Sequence, residues 1–99
     1  MSRVTGKPYF VYVLWSDQGR RFYIGISEDP QNRLLQHNQA LTGWSARFRP
    51  WRLVFTEHFD NYRDARKREI ELKSQKSGRG FFLRTGLDPA RFRHRASIS

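Results

Sequence analysis

Arg33 and His37 are the first residues whose types and spacing could do chemistry, within the stretch FYIGISEDPQNRLLQH at residues 22–37. At i and i+4 they project from nearly one helix face, roughly 40° apart at about 100° per residue. Leu34 and Leu41 mark the expected buried direction, so the pair is expected on its shoulder, where a cleft would open. Spacing alone favours an ordinary solvated pair over catalysis.

Three further groups have chemical potential. Along a second helix, Tyr62, Ala65 and Leu72 define an apolar stripe, and Glu69 falls inside it. A carboxylate there must be paired, hydrated in a cleft or bound to a cation. A salt bridge to a nearby arginine competes evenly with a functional role. Tyr12 and Tyr23 lie on two successive strand-like runs and share a face only if the register allows, because a one-residue slip reverses every side chain. Packing is the ordinary use of such tyrosines. The segment WSARFRPWR interleaves Trp44, Phe48 and Trp51 with Arg47, Arg49 and Arg52, which suits phosphate contact and base stacking. Core packing of Trp51 and solvation of the arginines are the simpler alternatives. No glycine-rich phosphate loop, zinc-like histidine spacing or serine nucleophile elbow accompanies these groups.

The elements that must position them follow from the pattern. YFVYVLWS is apolar on both alternating faces and predicts a central strand over Tyr9–Ser16. DQGR predicts a turn in which Gly19 takes positive φ, and RFYIGIS a second strand forming an antiparallel hairpin. Asp29 is the expected N-cap and Pro30 the first residue of a helix to about Asn38, which buries Leu34, and Leu41 if it continues. A basic connection at 42–50 leads to a third strand, WRLVFTEHF. Asp60 or Asn61 caps a second helix of about 15 residues, through 62–76, ended by Ser77, Gly78 and Gly80. A short helix is expected near 80–85, then a frayed basic tail, RFRHRASIS. The order β-β-α-β-α(-α) predicts an α+β domain, a small three-stranded antiparallel or mixed sheet flanked by helices.

Composition bounds the function. Ninety-nine residues suffice for one domain, and a hydrophobic fraction of 37% with 15% aromatics suffices for its core. No apolar run reaches the roughly 20 residues of a membrane span, and the first ten residues lack a secretory apolar segment. The chain has no cysteine, which excludes disulfides and thiolate metal sites and fits a reducing, cytoplasmic setting. Lys and Arg number 19 against nine Asp and Glu, a net +10 dominated by arginine. That balance points to a phosphate polymer as partner, above a membrane surface or mere solubility.

Together these pieces resemble the GIY-YIG endonuclease superfamily, specifically its small single-domain bacterial members. The likeness spans residues 9–82. VYVLWS stands at the first motif, YIG (Tyr23, Ile24, Gly25) is the second motif unaltered, and DPQNRLLQHN carries the helix arginine and histidine. RPWRLVFTEHF and DARKREIELKSQKS resemble the third strand and the glutamate helix. The first motif departs, with Val11-Tyr12-Val13 in place of Gly-Ile-Tyr, a variant common among the small members.

The resemblance implies a nuclease domain over residues 9–87, with an extension at 1–8 and a basic tail at 88–99. It implies endonucleolytic hydrolysis or nicking of DNA with one divalent cation, Mg²⁺ or alternatively Mn²⁺, held by Glu69. Tyr12 would activate the attacking water, helped by Tyr23, His37 or both, with Arg33 supplying the nearby cation a phenol needs to act as a base. Arg33 would also contact the scissile phosphate. Gly25 would let the nucleic-acid backbone approach, while Arg47, Arg49, Arg52, Arg66 and Lys73 bind flanking phosphates. Larger relatives add a DNA-recognition domain, so a protein partner supplying recognition is expected here. The rivals are a non-catalytic nucleic-acid-binding module, and an RNA-directed assembly factor using the same basic face.

Overall fold

A computed structural model of the chain describes residues 7–75 and 78–93. Strands β1 (Tyr9–Ser16), β2 (Arg21–Ser27) and β3 (Trp51–Phe59) form one sheet in the order β2-β1-β3, antiparallel throughout. The unbroken apolar run of β1 reflects that central place, because both of its faces are covered and every residue from Val11 to Ser16 is buried. Tyr12 lies opposite Gly25 and Leu14 opposite Tyr23, which puts Tyr12 and Tyr23 on one face of the sheet. On its other edge β1 pairs Val13 with Phe55 but Leu14 with Leu53, a bulge at Val54.

The hairpin turn differs from expectation. Arg20 takes the left-handed conformation, with φ of 54°, while Gly19 serves a close approach. A Cβ on Gly19 would lie 2.6 Å from the Phe48 ring. Ser16 holds the turn in place: its Oγ accepts the Gly19 N–H at 2.8 Å and donates to the Phe48 carbonyl at 2.6 Å.

Helices cover both faces. Helix α2 (Tyr62–Ser74) and helix α3 (Arg79–Thr85) bring Ala65, Leu72, Phe81 and Phe82 against Val11, Val13, Trp15, Phe22 and Ile24. Asn61 rather than Asp60 caps α2, its side chain accepting the Asp64 N–H at 2.9 Å. Tyr62 leaves the predicted stripe: it is half exposed and meets Tyr9 edge-to-face at 5.6 Å. The helix ends at Ser74, and Lys76, the last residue of the predicted helix, and Ser77, its expected breaker, lie outside the described residues. So do residues 94–99 of the predicted tail, whereas Phe92 is buried, 5.2 Å from the Trp15 ring.

Helix α1 (Pro30–Gln39) lies over the opposite face, where Tyr12, Leu14 and Trp51 pack with Tyr23, Leu34, Trp44, Phe48 and Leu53. Asp29 caps it by accepting the Asn32 N–H, and Pro30 begins it. It stops at Gln39 because Ala40 is already extended, so Leu41 is not buried but 85% exposed. The inward stripe is Pro30, Leu34 and His37, which moves His37 from the shoulder into the interface with the sheet.

Asn38 fastens α1 to β3. Its Oδ1 accepts the Trp51 N–H at 2.6 Å, and its Nδ2 donates to the Trp51 carbonyl at 3.1 Å. Replacing Asn38 with Ala leaves both main-chain groups of a buried residue without their partner. The expected loss in urea unfolding is about 1–3 kcal/mol, with Asn38→Asp, which keeps the acceptor, falling between Ala and wild type.

Candidate active site

The register of the hairpin and the inward stripe of α1 bring four of the predicted site residues together. The Tyr12 hydroxyl and His37 Nε2 are 3.2 Å apart and buried. The Tyr12 and Tyr23 rings are stacked with centroids 6.1 Å apart, and Tyr23 meets the His37 ring edge-on at 4.4 Å. Arg33, one turn before His37, reaches the Tyr12 hydroxyl and donates from Nη1 to Gln36 Oε1 at 2.7 Å. Gln36 has no place in the sequence reading, though its position three residues after Arg33 on the same helix is a signal for such a contact.

Gly25 does something other than admit a nucleic-acid backbone. It is buried, and a Cβ there would lie 2.7 Å from the Tyr12 hydroxyl oxygen and 2.8 Å from Cζ. The space a side chain would fill is occupied by the phenol itself. Gly25 positions Tyr12.

Burial governs the electrostatics. It pushes the Tyr12 phenol up to about 12, against the opposing pull of the Arg33 guanidinium. The expectation that Arg33 would bring this phenol into the range of a base is therefore reversed, since Tyr12 is only 1% exposed and desolvation wins. Burial also holds the His37 imidazole below its ordinary 6.5, with the Arg33 charge adding to the effect. The Tyr12 hydroxyl holds the Arg33 guanidinium protonated still more firmly. At neutral pH the cluster is a neutral phenol, a neutral imidazole and one fixed cation.

Glu69 comes from a different helix. It is the one buried carboxylate among the described residues, on the inward stripe of α2 between Ala65 and Leu72. That helix covers the sheet face opposite α1. Glu69 Oε1 accepts from Arg66 Nη1 at 2.6 Å, and Oε2 faces Lys73 Nζ at 3.2 Å. Among the described residues no hydrogen bond or ion pair joins Glu69 to Tyr12, Tyr23, Arg33 or His37. Arg66 and Lys73, read as phosphate contacts, thus neutralise this carboxylate instead, and Arg52 pairs with Asp17 at 3.1 Å. Arg47 and Arg49 are exposed and meet no carboxylate among the described residues: Arg47 lies 5.6 Å from the Phe48 ring centroid, and Arg49 donates to the Ala46 carbonyl at 3.0 Å.

No group of three metal-ligating side chains occurs among the described residues. One buried carboxylate, already attracting two cationic groups, has the donor chemistry for one hard cation whose other ligands are water and phosphate. Arg66 and Lys73 have to withdraw first. Their side chains are 49% and 40% exposed, so each has solvent to withdraw into.

Two measurements check this cluster. In wild type, ultraviolet absorbance should show a tyrosine ionising near pH 12; in Gly25→Ala the displaced phenol should titrate closer to 10. A histidine held below its unfolded value binds its proton later in the folded state, so stability is full above about pH 6.5 and falls as pH drops toward the folded pKa. Urea midpoints taken between pH 7 and pH 5 should show this loss, and His37→Gln should flatten it.

Comparison with known proteins identifies the family of the chain. A family model described as the GIY-YIG catalytic domain matches residues 8–80. A UPF0213 protein of Staphylococcus saprophyticus is 33% identical over 70 residues, which span 67% of this chain and 80% of that protein. No solved structure matches the chain. The matched span runs from β1 into the start of α3 and holds Tyr12, Tyr23, Arg33, His37 and Glu69. The chain belongs to the GIY-YIG catalytic-domain family, a family of nucleases.

Proposed function

We propose that this chain is a divalent-metal-dependent endonuclease that hydrolyses or nicks phosphodiester bonds in DNA. The observation that carries the reading is the Tyr12–His37 contact beside Arg33: a proton relay and a fixed cation at one point. A phenol held near 12 is a poor free base at neutral pH. It can still pass a proton on. As the Tyr12 oxygen receives a proton from the attacking water, its own proton moves to His37 Nε2, so no free phenolate forms. His37 is kept neutral by burial and by Arg33, which leaves it ready to accept. Once Arg33 pairs with a phosphate oxygen, its repulsion of the nascent imidazolium is screened, and the pairing stabilises charge on phosphorus. Tyr23 holds the His37 ring edge-on and completes the wall. A Mg²⁺ or Mn²⁺ ion held at Glu69 would supply Lewis-acid stabilisation of the phosphate and leaving oxygen.

A second reading has its own support. Glu69 is doubly paired within its helix, as a purely structural carboxylate would be, which favours a nucleic-acid-binding module without catalysis. Incubation of duplex, single-stranded and branched DNA with Mg²⁺ or Mn²⁺ decides between them. The nuclease reading expects cleavage by wild type and a drop of about 10²–10⁴-fold in His37→Gln and Arg33→Ala. Glu69→Ala should lose cleavage while retaining DNA binding. Intact substrate with tight binding by wild type would instead establish the binding module.

The pH profile follows from the same cluster. Activity should rise as His37 loses its proton, with the rising limb below pH 6.5, and stay level into the alkaline range because Tyr12 keeps its proton to about 12. His37→Gln should abolish that limb in initial-rate measurements.

A further inference from the structure

Beside the relay lies a second recess that the proposed chemistry does not use. It is an open cleft of about 470 Å³ lined by Leu41, Thr42, Gly43, Trp44, Ala46 and Arg47. It is shallow and open to solvent, so an occupant would lie against its wall rather than be enclosed. We propose that it receives an unpaired nucleobase, so that the preferred substrate is nucleic acid carrying an extrahelical or single-stranded nucleotide next to the scissile bond. This rests on the nuclease reading and specifies its substrate.

Four observations converge on that occupant. Trp44, a wall of the cleft, belongs to a continuous aromatic layer: its ring is 5.7 Å from Trp51 and 6.3 Å from Tyr23. Tyr23 in turn stacks on Tyr12, so the cleft and the relay share one floor. Leu41 stands at the rim, 85% exposed, held outward because α1 ends at Gln39 and Ala40 is extended. An apolar side chain so presented is the kind that wedges between bases. Charge selects the ligand class. Residues 30–56 contain no Asp or Glu, and although Arg52 pairs with Asp17, Arg47 and Arg49 meet no carboxylate among the described residues, so a polyanion is attracted and an ordinary apolar peptide is not. An aromatic wall beside a guanidinium that meets no carboxylate among the described residues fits one base face with its adjoining phosphate, as single-strand binding surfaces do. A paired base, with its faces covered by neighbours, cannot use such a wall.

The test is equilibrium binding without divalent ions, in EDTA, so that no cleavage intervenes. Three labelled hairpin duplexes are compared by fluorescence anisotropy: fully paired, with one unpaired 2-aminopurine, and with an abasic unit at that position. Wild type should bind the 2-aminopurine duplex about tenfold tighter than the paired one and quench its fluorescence. The abasic duplex, with the same phosphates, should lose that advantage. Leu41→Ala, a change at an exposed side chain that leaves the fold intact, and Trp44→Ala should each reduce the preference toward unity while keeping affinity for the paired duplex. Arg47→Ala should weaken all three. Equal affinity of wild type for paired and unpaired duplexes, or an unchanged preference in Leu41→Ala and Trp44→Ala, overturns the inference and leaves the nuclease reading standing. No binding to any duplex likewise overturns the inference, and the nuclease reading is then decided by the cleavage assay in Mg²⁺ or Mn²⁺.

Discussion

The buried Tyr12 phenol is the contact on which the remaining site geometry depends. A ring at the centre of a three-stranded sheet needs space on its neighbour strand, and Gly25 directly across provides it. The hydroxyl needs a partner once water is gone, and His37 from α1 is 3.2 Å away. Those two needs fix the height of α1 over the sheet and the register of the hairpin together. Asn38, the next residue on the helix, then bonds both main-chain groups of Trp51 and ties the same helix to β3. One helical turn therefore joins the two outer strands through the central tyrosine, and Arg33 is aimed at that tyrosine from one turn earlier.

Most of the architecture was legible because each element carries a local signature. The doubly apolar β1, the Asp29-Pro30 start of α1 and the polar break before α2 are readable without tertiary knowledge. What could not be read was what neighbours do to a residue. Leu41 continues the apolar spacing of α1, but Ala40 leaves the helix and Leu41 faces solvent. His37 looks like a solvated polar residue by type, yet Pro30 and Leu34 place it on the inward stripe. Gly19 looks like the residue that needs positive φ, but Phe48, distant in sequence, claims its missing side chain while Arg20 takes the strained angle. Only the Gly19 discrepancy comes from a contact far apart along the chain, about which spacing rules carry no information. The other two turn on where α1 ends and on which of its residues face the sheet.

The same limit explains the site residues. Tyr12, Tyr23, Arg33 and His37 are joined by one sheet face and the helix above it, so pattern reasoning could reach them once the register was known. Glu69 belongs to the helix over the other face, and its oxygens are held by Arg66 and Lys73 at i−3 and i+4. Those spacings are visible in the sequence, and they account for two cations of the arginine-rich helix that would otherwise be counted as phosphate contacts. Net charge is a poor guide to free charge. On α2, Arg66, Arg68 and Lys73 are spent on Glu57, Glu69 and Glu71, whereas Arg47 and Arg49 pair with no carboxylate among the described residues.

The two faces therefore differ in how readily they can engage a polyanion. At Arg47 and Arg49 a phosphate meets cations that give up no carboxylate partner, so attraction there is limited mainly by screening. At Arg66 and Lys73 it must compete with Glu69, and each phosphate that binds there releases a buried carboxylate from its cation. A bare carboxylate at 8% exposure is costly unless another cation replaces the pair that left. If Arg66 and Lys73 took up phosphate and Glu69 a cation, as the proposed function requires, the two events would be thermodynamically coupled, each lowering the cost of the other. Binding would begin at Arg47 and Arg49, where no carboxylate has to be displaced. The face bearing Glu69 would follow only when phosphate and cation arrive together.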